Sequence, residues 1–320
     1  MDTSQPPNND SNWERKTLEK LVFAALDEQR SRRRWGIAFK IFGFGYLLAV
    51  LVAVVDWGAS AEHQERHTAM VNMMGVIEAK GDASAENLVA ALNSAFEEKN
   101  AVGVILRINS PGGSPVQAGI VNDEIRRLRT KFPDKPLYAV VEDMCASGGY
   151  YVAAAADNIY VNKASIVGSI GVLMDGFGFT GTMDKFGVER RLLTAGENKG
   201  FLDPFSPQAP QHKAHAQLLL NDIHKQFIDV VKAGRGQRLK ETPDMFSGLM
   251  WTGAQSIQLG LADGYGSVDS VARDVIKAEK IFDYSVKDNI AERFAKRLGA
   301  GTAASFWKGI SESAQGVRLF

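Results

Sequence analysis

Between Met70 and the 280s, short apolar runs alternate with stretches whose apolar residues recur every three or four positions. Met70–Ile77, Val102–Ile108 and Leu137–Val141 are rich in Val, Ile, Leu and Met, as strands buried on both faces of a parallel sheet require. Between them, Ala85–Lys99 and Val116–Lys131 are amphipathic with helical spacing. Ile159–Val161 and Arg191–Leu193 are further strand candidates. Gln211–Ala233 predicts a long helix with Leu218, Leu219, Ile223, Phe227 and Val230 on one face. A helix opening at Gly253 and ended by Gly260 follows, then a helical pattern over Val271–Ile281. Strand–helix alternation of this kind predicts an α/β fold with a largely parallel sheet over residues 70–282.

The residues before this region follow a different pattern. Residues 1–12 are polar and rich in Pro and Asn, and read as a disordered tail. Trp13–Arg34 has helical spacing and ends in Arg30, Arg32, Arg33 and Arg34, closing an N-terminal segment over residues 1–34. Ile37–Val55 then holds a single charge, Lys40, and is apolar on every face. A helix of about 19 residues spans about 28 Å, close to the thickness of a bilayer core. Trp35 and Trp57 bracket it at interface positions, so residues 35–57 are expected to be a transmembrane anchor. The arginines precede the span and Asp56, Glu62 and Glu65 follow it, which places the N-terminus in the cytoplasm and the rest outside. Ala59-Ser60-Ala61 has the small-residue form of a signal-peptidase site. The long polar region ahead of the span favours a retained anchor. Residues 58–69 form a polar linker, and residues 283–320 a weakly amphipathic tail.

Composition adds bounds. With 45% hydrophobic and 23% charged residues, the 320-residue chain is ordinary for a globular protein, and its formal net charge of zero gives no reason to expect nucleic-acid binding. The one cysteine, Cys145, excludes an intrachain disulfide framework and is expected to be buried. His63 and His67 are spaced i, i+4, but no third ligand lies near them, so neither a metal site nor a cofactor is expected.

Candidate chemistry centres on Met144-Cys145-Ala146-Ser147-Gly148-Gly149-Tyr150-Tyr151, between an apolar strand and an alanine-rich helix. A serine on a sharp strand-to-helix turn presents its hydroxyl where unpaired N–H groups favour developing negative charge. The same residue could equally be a small N-cap. Asn109-Ser110-Pro111-Gly112-Gly113-Ser114 follows the Val102 strand, at the sheet edge where α/β proteins bind ligands. Its glycines either make a plain tight turn or expose N–H donors suited to an oxyanion.

A nucleophilic serine needs a base. No histidine lies between His67 and His212, and His212, His215 and His224 fall on or beside the long helix in no motif of a catalytic loop. The alternative is a lysine. With a pKa of about 10.4, an ordinary lysine is neutral in about one molecule in 2,500 at pH 7. Lowering that pKa by about three corresponds to about 4 kcal/mol against the charged form, which demands a dry site. Lys163, Lys185, Lys199 and Lys213 are the downstream candidates. Lys199 is bracketed by Gly196 and Gly200 and followed by Phe201, Leu202 and Phe205.

The stretches NSPGGS, MCASGGYYVAAAAD, SIVGSIGV, AGENKGFLDPFSP and WTGAQSIQLGLADGYGS occur in an order that resembles the short, single-domain form of signal peptide peptidase A, a bacterial membrane protease family. The resemblance covers about residues 70–280. It implies a Clp protease/crotonase-like fold preceded by a single transmembrane helix, and a Ser/Lys dyad. Ser147 is then the nucleophile, Lys199 the general base and Ser169 the residue orienting that lysine. The N–H groups of Gly113 and Gly148 form the oxyanion hole. Clp protease itself pairs a similar glycine loop with a histidine about 25 residues beyond its serine, where this chain has Ser169 to Val172. The resemblance further implies a homo-oligomeric ring or dome, an octamer for this half-size form, with serine and lysine from neighbouring protomers. It implies the bacterial inner membrane with the peptidase domain on the periplasmic side, and hydrophobic signal-peptide remnants as substrate. The competing expectations are a non-catalytic membrane scaffold on the same fold and a crotonase-like acyl-CoA enzyme, which would leave Ser147 and Lys199 without a role.

Overall fold

A computed structural model describes residues 10–56 and 65–286, apart from the side chains of residues 10–12, 14, 25 and 50–56. The chain divides into two units, Met1–Glu62 and His63–Phe320. The described residues of the first form one helix, α1 (Asp10–Asp56), in which the two expected helical segments run on without a break. Its described apolar side chains are exposed, Phe42 and Leu47 to 79% and 69%. Among the described residues no helix is long and apolar enough to cross a membrane. The side chains of the expected anchor from Val50 to Asp56, Trp57, the Ala59-Ser60-Ala61 site, His63 and the tail from residue 287 lie outside what is described.

The second unit opens with β1 (His67–Met74), α2 (Ala85–Glu97), β2 (Ala101–Ser110), α3 (Pro115–Lys131), β3 (Leu137–Ala146) and the short α4 (Gly148–Ala153). β4 (Asn158–Val161) and β5 (Ile166–Gly168) follow, then a largely irregular excursion containing α5 (Thr180–Lys185), and the 26-residue α6 (Pro210–Arg235). β6 (Met250–Thr252), α7 (Gly253–Gln258), β7 (Gly264–Tyr265), α8 (Val268–Ser270) with a π-helical turn through Ile276, and β8 (Ile281–Asp283) complete it. The described strands form one eight-stranded sheet with the main path β6-β5-β3-β2-β1-β8. Every pairing is parallel except β5 with β6.

Alternation along the strands builds two cores. On one face Val104, Leu106, Ile108, Ala139 and Val141 pack against Leu88, Leu92 and Phe96 of α2 and Val121, Ile125 and Leu128 of α3. On the other, Ile105 and Val140 lie beneath Val271 and Ala272. Helix starts are capped as their sequences suggest. Ser84 and Ser114 accept hydrogen bonds from the N–H groups of Asn87 and Gln117, and Pro115 follows the second cap where its missing N–H costs nothing.

Two expectations require correction. Arg191–Leu193 is not a strand: it lies in the excursion, and Leu193 is 95% exposed, so its apolar character serves a surface. The helical pattern over Val271–Ile281 stops at Ile276, where Lys277 turns left-handed with φ 63°, and the chain then enters β8.

One feature of the sheet positions the site. β3 pairs with β4 through Tyr138–Val140 and with β5 through Met144–Ala146. The sheet forks along this strand, and Ser147 sits at the tip of the branch shared with β5.

Candidate active site

Three chain segments meet at the C-terminal edge of β2, β3 and β5. Ser147 follows β3 with φ 51° and ψ −124°, a conformation that costs a non-glycine residue of the order of 1–3 kcal/mol. The Ser147 N–H donates to Gly168 O at 2.8 Å, and Ser147 O accepts from the Tyr151 N–H at 3.0 Å, so the backbone is held on both sides. The side chain makes no capping hydrogen bond. Ser147 thus holds the N-cap position of α4, but unlike Ser84 and Ser114 its side chain does not cap the helix. The strained backbone holds a half-buried hydroxyl with no structural duty.

The glycine loop lies directly against this turn. A Cβ on Gly112 would fall 2.7 Å from both Ser147 Cβ and Gly148 N, and one on Gly113 would fall 2.2 Å from Ile77 O. Both glycines have positive φ, 101° and 149°. The approach is fixed by Ile77, whose N–H donates to Gly112 O while its carbonyl accepts from the Ser114 N–H, each at 2.8 Å. Ser110 braces the loop from beneath. Its buried hydroxyl donates to Gly75 O at 2.6 Å and accepts from the Gly112 N–H at 3.2 Å. Among the described residues, the N–H groups of Gly113 and Gly148 donate to no protein acceptor. Two free donors beside an unengaged hydroxyl suit a carbonyl oxygen that becomes negative during attack.

These residues border a cleft of about 590 Å³. Gly113, Ser147, Gly148 and Ser169 give it a polar side. Ala118, Tyr151, Val172, Leu173, Ile223 and Phe227 give it an apolar wall. Ser169 also has positive φ, 51°, and its N–H donates to Leu249 O at 2.8 Å, pinning β5 to the segment before β6. The apolar wall combines residues from α3, α4, the start of the excursion and α6, so no single motif announces it. The only prior sign was the apolar face of α6. Burial, with Asp123 adding to it, raises the Tyr151 phenol above its ordinary pKa, so it stays protonated at neutral pH. Cys145 is fully buried, its pKa pushed up by burial alone, and does not line the cleft.

The lysine is elsewhere. Lys199 is exposed on the excursion and does not line this cleft, and neither do Lys163, Lys185 or Lys213. No histidine lines it; His224 lies behind its wall, with Nε2 3.2 Å from Ile170 O. The chain thus gathers Ser147, Ser169, Gly113 and Gly148 at this cleft, and among the described residues no lysine or histidine lines it. No group of His, Cys, Asp and Glu among the described residues could hold a metal ion.

Residues 129–281 match peptidase family S49. Over that region the chain is similar to the S49 peptidases, proteins named signal peptide peptidase SppA and protease 4 among them. A putative signal peptide peptidase SppA of Enterococcus faecium is 27% identical over 227 residues, 70% of this chain and 65% of that protein. Protease 4 of Haemophilus influenzae is 30% identical over 234 residues, 71% of this chain and 37% of its own length. A Brucella abortus protein named Na(+)/H(+) antiporter NhaA is 44% identical over 201 residues, 63% of this chain but 27% of that protein. The chain spans less than two thirds of the length of each. Its α/β sheet and flanking helices fit the Clp-like fold of the S49 peptidases, the family that residues 129–281 match.

Proposed function

We propose that this protein is a membrane-anchored serine endopeptidase that cleaves apolar peptides, remnant signal peptides among them. Ser147 is the nucleophile and the partner subunit's Lys199 the general base. The observation that carries this reading is the Ser147 elbow, a strained backbone presenting an unengaged hydroxyl beside two free N–H donors. The Oγ proton passes to the Lys199 amine as Oγ bonds to the scissile carbonyl carbon. The carbonyl oxygen takes the charge and is held by the N–H groups of Gly113 and Gly148. The protonated amine then gives its proton to the leaving nitrogen as the peptide bond breaks, and water releases the acyl group by the reverse sequence. Ser169, on the cleft wall, orients the incoming amine.

Assembly supplies the missing base and the dryness it needs. The excursion that carries Lys199 exposes Leu173 (80%), Phe177 (80%), Phe186 (78%) and Leu193 (95%). This much apolar surface favours burial against another copy, and removing an amine from water favours its neutral form. The apolar cleft wall suits signal-peptide cores. The nearly uncharged run Ile37–Val55 between arginines and acidic residues supports a retained anchor in the bacterial inner membrane, with the N-terminus cytoplasmic and the peptidase domain periplasmic.

Subunit mixing tests this reading. Ser147→Ala and Lys199→Ala should each abolish cleavage of an apolar fluorogenic peptide while leaving assembly intact. Co-assembled one to one, they should regain activity at about a quarter of the sites, those pairing an intact serine with a partner's intact lysine. Mixtures that assemble and stay inactive would exclude a base supplied in trans. Full activity in either single variant would remove the dyad, and an assembled wild-type protein that cleaves no apolar peptide would favour the scaffold reading.

A further inference from the structure

The histidines of α6 take no part in the proton transfers proposed above, yet two of them hold the segment that carries Lys199. That segment is a tight turn. The Lys199 N–H donates to Gly196 O, the Phe201 N–H to Asn198 O, each at 3.0 Å, and the Asp203 N–H to Gly200 O. Leu202 follows with φ 54°, a conformation a leucine keeps only when its surroundings impose it. The surroundings are the first turns of α6. The His212 ring N–H at Nε2 donates to Asn198 Oδ1 at 3.1 Å. The Phe201 ring stands edge-on to both His212 and His215, with centroids 5.5 and 5.6 Å apart and interplanar angles of 70° and 76°. The residues on either side of the Lys199–Gly200 pair, Asn198 and Phe201, are therefore both fastened to α6. The same helix continues past the cleft, where Ile223 and Phe227 line its wall.

We infer that His212, assisted by His215, is a positioning residue for Lys199, fixing the turn from which the amine reaches a serine. The inference rests on Lys199 being the base. A lysine has four rotatable side-chain bonds, so its amine is placed no better than its backbone, and a displacement of about 1 Å in a reacting group costs about a hundredfold in rate. Ring hydrogen bond and ring packing together fix the turn; losing both lets it shift while the serine, the donors and the cleft stay where they are. The expected signature is a defect in turnover without a matching defect in substrate binding.

The test compares kcat and KM for an apolar fluorogenic peptide across variants whose assembly is checked by light scattering. His212→Ala should lower kcat about tenfold with KM within about twofold of wild type. His212→Gln, whose amide N–H can still reach Asn198 Oδ1, should recover most of that loss. Asn198→Ala, which removes the hydrogen bond but keeps the ring packing, should show part of that loss, and the double variant should be no slower than His212→Ala, in which the hydrogen bond is already gone. An unchanged kcat in His212→Ala would overturn the inference, as would a glutamine variant no better than alanine or full additivity of the two alanine variants. If His212→Ala fails to assemble, the glutamine and Asn198→Ala variants decide by the same criteria. Lys199→Ala, measured alongside, separates the two claims. Activity in that variant ends the base assignment and this inference with it, whereas an inactive Lys199→Ala beside an unimpaired His212→Ala ends this inference alone.

Discussion

Gly112→Ala probes whether the glycine loop and the Ser147 turn must touch. The new Cβ would lie 2.7 Å from Ser147 Cβ, 2.7 Å from Gly148 N and 2.8 Å from Ala146 O. All three atoms belong to the nucleophile's own turn, two of them to its backbone, so no flexible side-chain end can swing aside. Ordinary contact begins near 3.4 Å, so the loop and the turn must separate by about 0.7 Å. Gly112 also sits at φ 101°, which adds backbone strain of about 1 kcal/mol or more for alanine. The separation moves the loop that carries the Gly113 N–H away from the turn that carries the Gly148 N–H, the two donors that must converge on one oxygen. A misplacement approaching 1 Å corresponds to a loss of about a hundredfold in kcat/KM, or about 2.7 kcal/mol of barrier. The assay is hydrolysis of an apolar fluorogenic peptide beside thermal unfolding of the same sample. The reasoning requires a loss in kcat/KM much larger than the stability change explains, with the variant still folded and assembled. Gly119→Ala is the control, since nothing lies within 4 Å of its new Cβ and it sits inside helix α3; it should be as active as wild type and equally or slightly more stable. Wild-type kcat/KM in a folded Gly112→Ala would mean that the donors tolerate the separation, and the oxyanion assignment would fall.

Three further outcomes follow from the rest of the structure. Arg235 is 1% exposed and forms a two-pronged pair with Asp263, at 2.9 Å and 2.8 Å, while Asp263 also accepts the Ile159 N–H at 2.7 Å. Asp263→Asn should therefore destabilise the domain by about 3–5 kcal/mol, read as a fall in Tm of the order of 10 °C, and an unchanged Tm would show the pair to be dispensable. Burial alone would raise the Asp263 pKa, but the hydrogen bond from Arg235, the Ile159 N–H and the charges of Arg235 and Arg238 outweigh it and hold it below the ordinary carboxylate value. The pair's contribution is thus complete above about pH 4 and lost as pH falls through the lowered folded value, so the Tm difference between wild type and Asp263→Asn should shrink on acidification. Cys145 should not react with a thiol-alkylating reagent until the protein unfolds, given its complete burial and raised pKa; rapid labelling of the native protein would contradict the core packing around β3.

Whether a feature could be read from the sequence depends on how far its causes spread along the chain. The strands at Val102 and Leu137 and helices α2 and α3 are set by local periodicity, and the structure moves no end of them by more than about five residues, lengthening the strands and α3 and ending α2 two residues early. Arg191–Leu193 misleads because a short apolar run does not say whether it is covered within the chain, and here Leu193 faces outward. The serine elbow was visible as a motif, but the choice between cap and nucleophile needed the φ of 51° and the absent capping bond. The Arg235–Asp263 pair joins the end of α6 to the segment before β7, a proximity no local pattern encodes.

The base marks the point where one chain's sequence and one chain's fold both stop short. Composition and spacing left four lysines open, and only the family resemblance singled out Lys199. The fold then places all four away from the cleft that holds Ser147. On the proposed reading, this serine takes its base from a neighbouring subunit. The exposed apolar excursion and the histidine-braced turn at its end have a common explanation on that view. A catalytic amine presented to a neighbour cannot be fixed by the cleft it enters, so its geometry must be set in its own subunit before assembly. The contacts of Asn198 and Phe201 with the start of α6 are placed to do this.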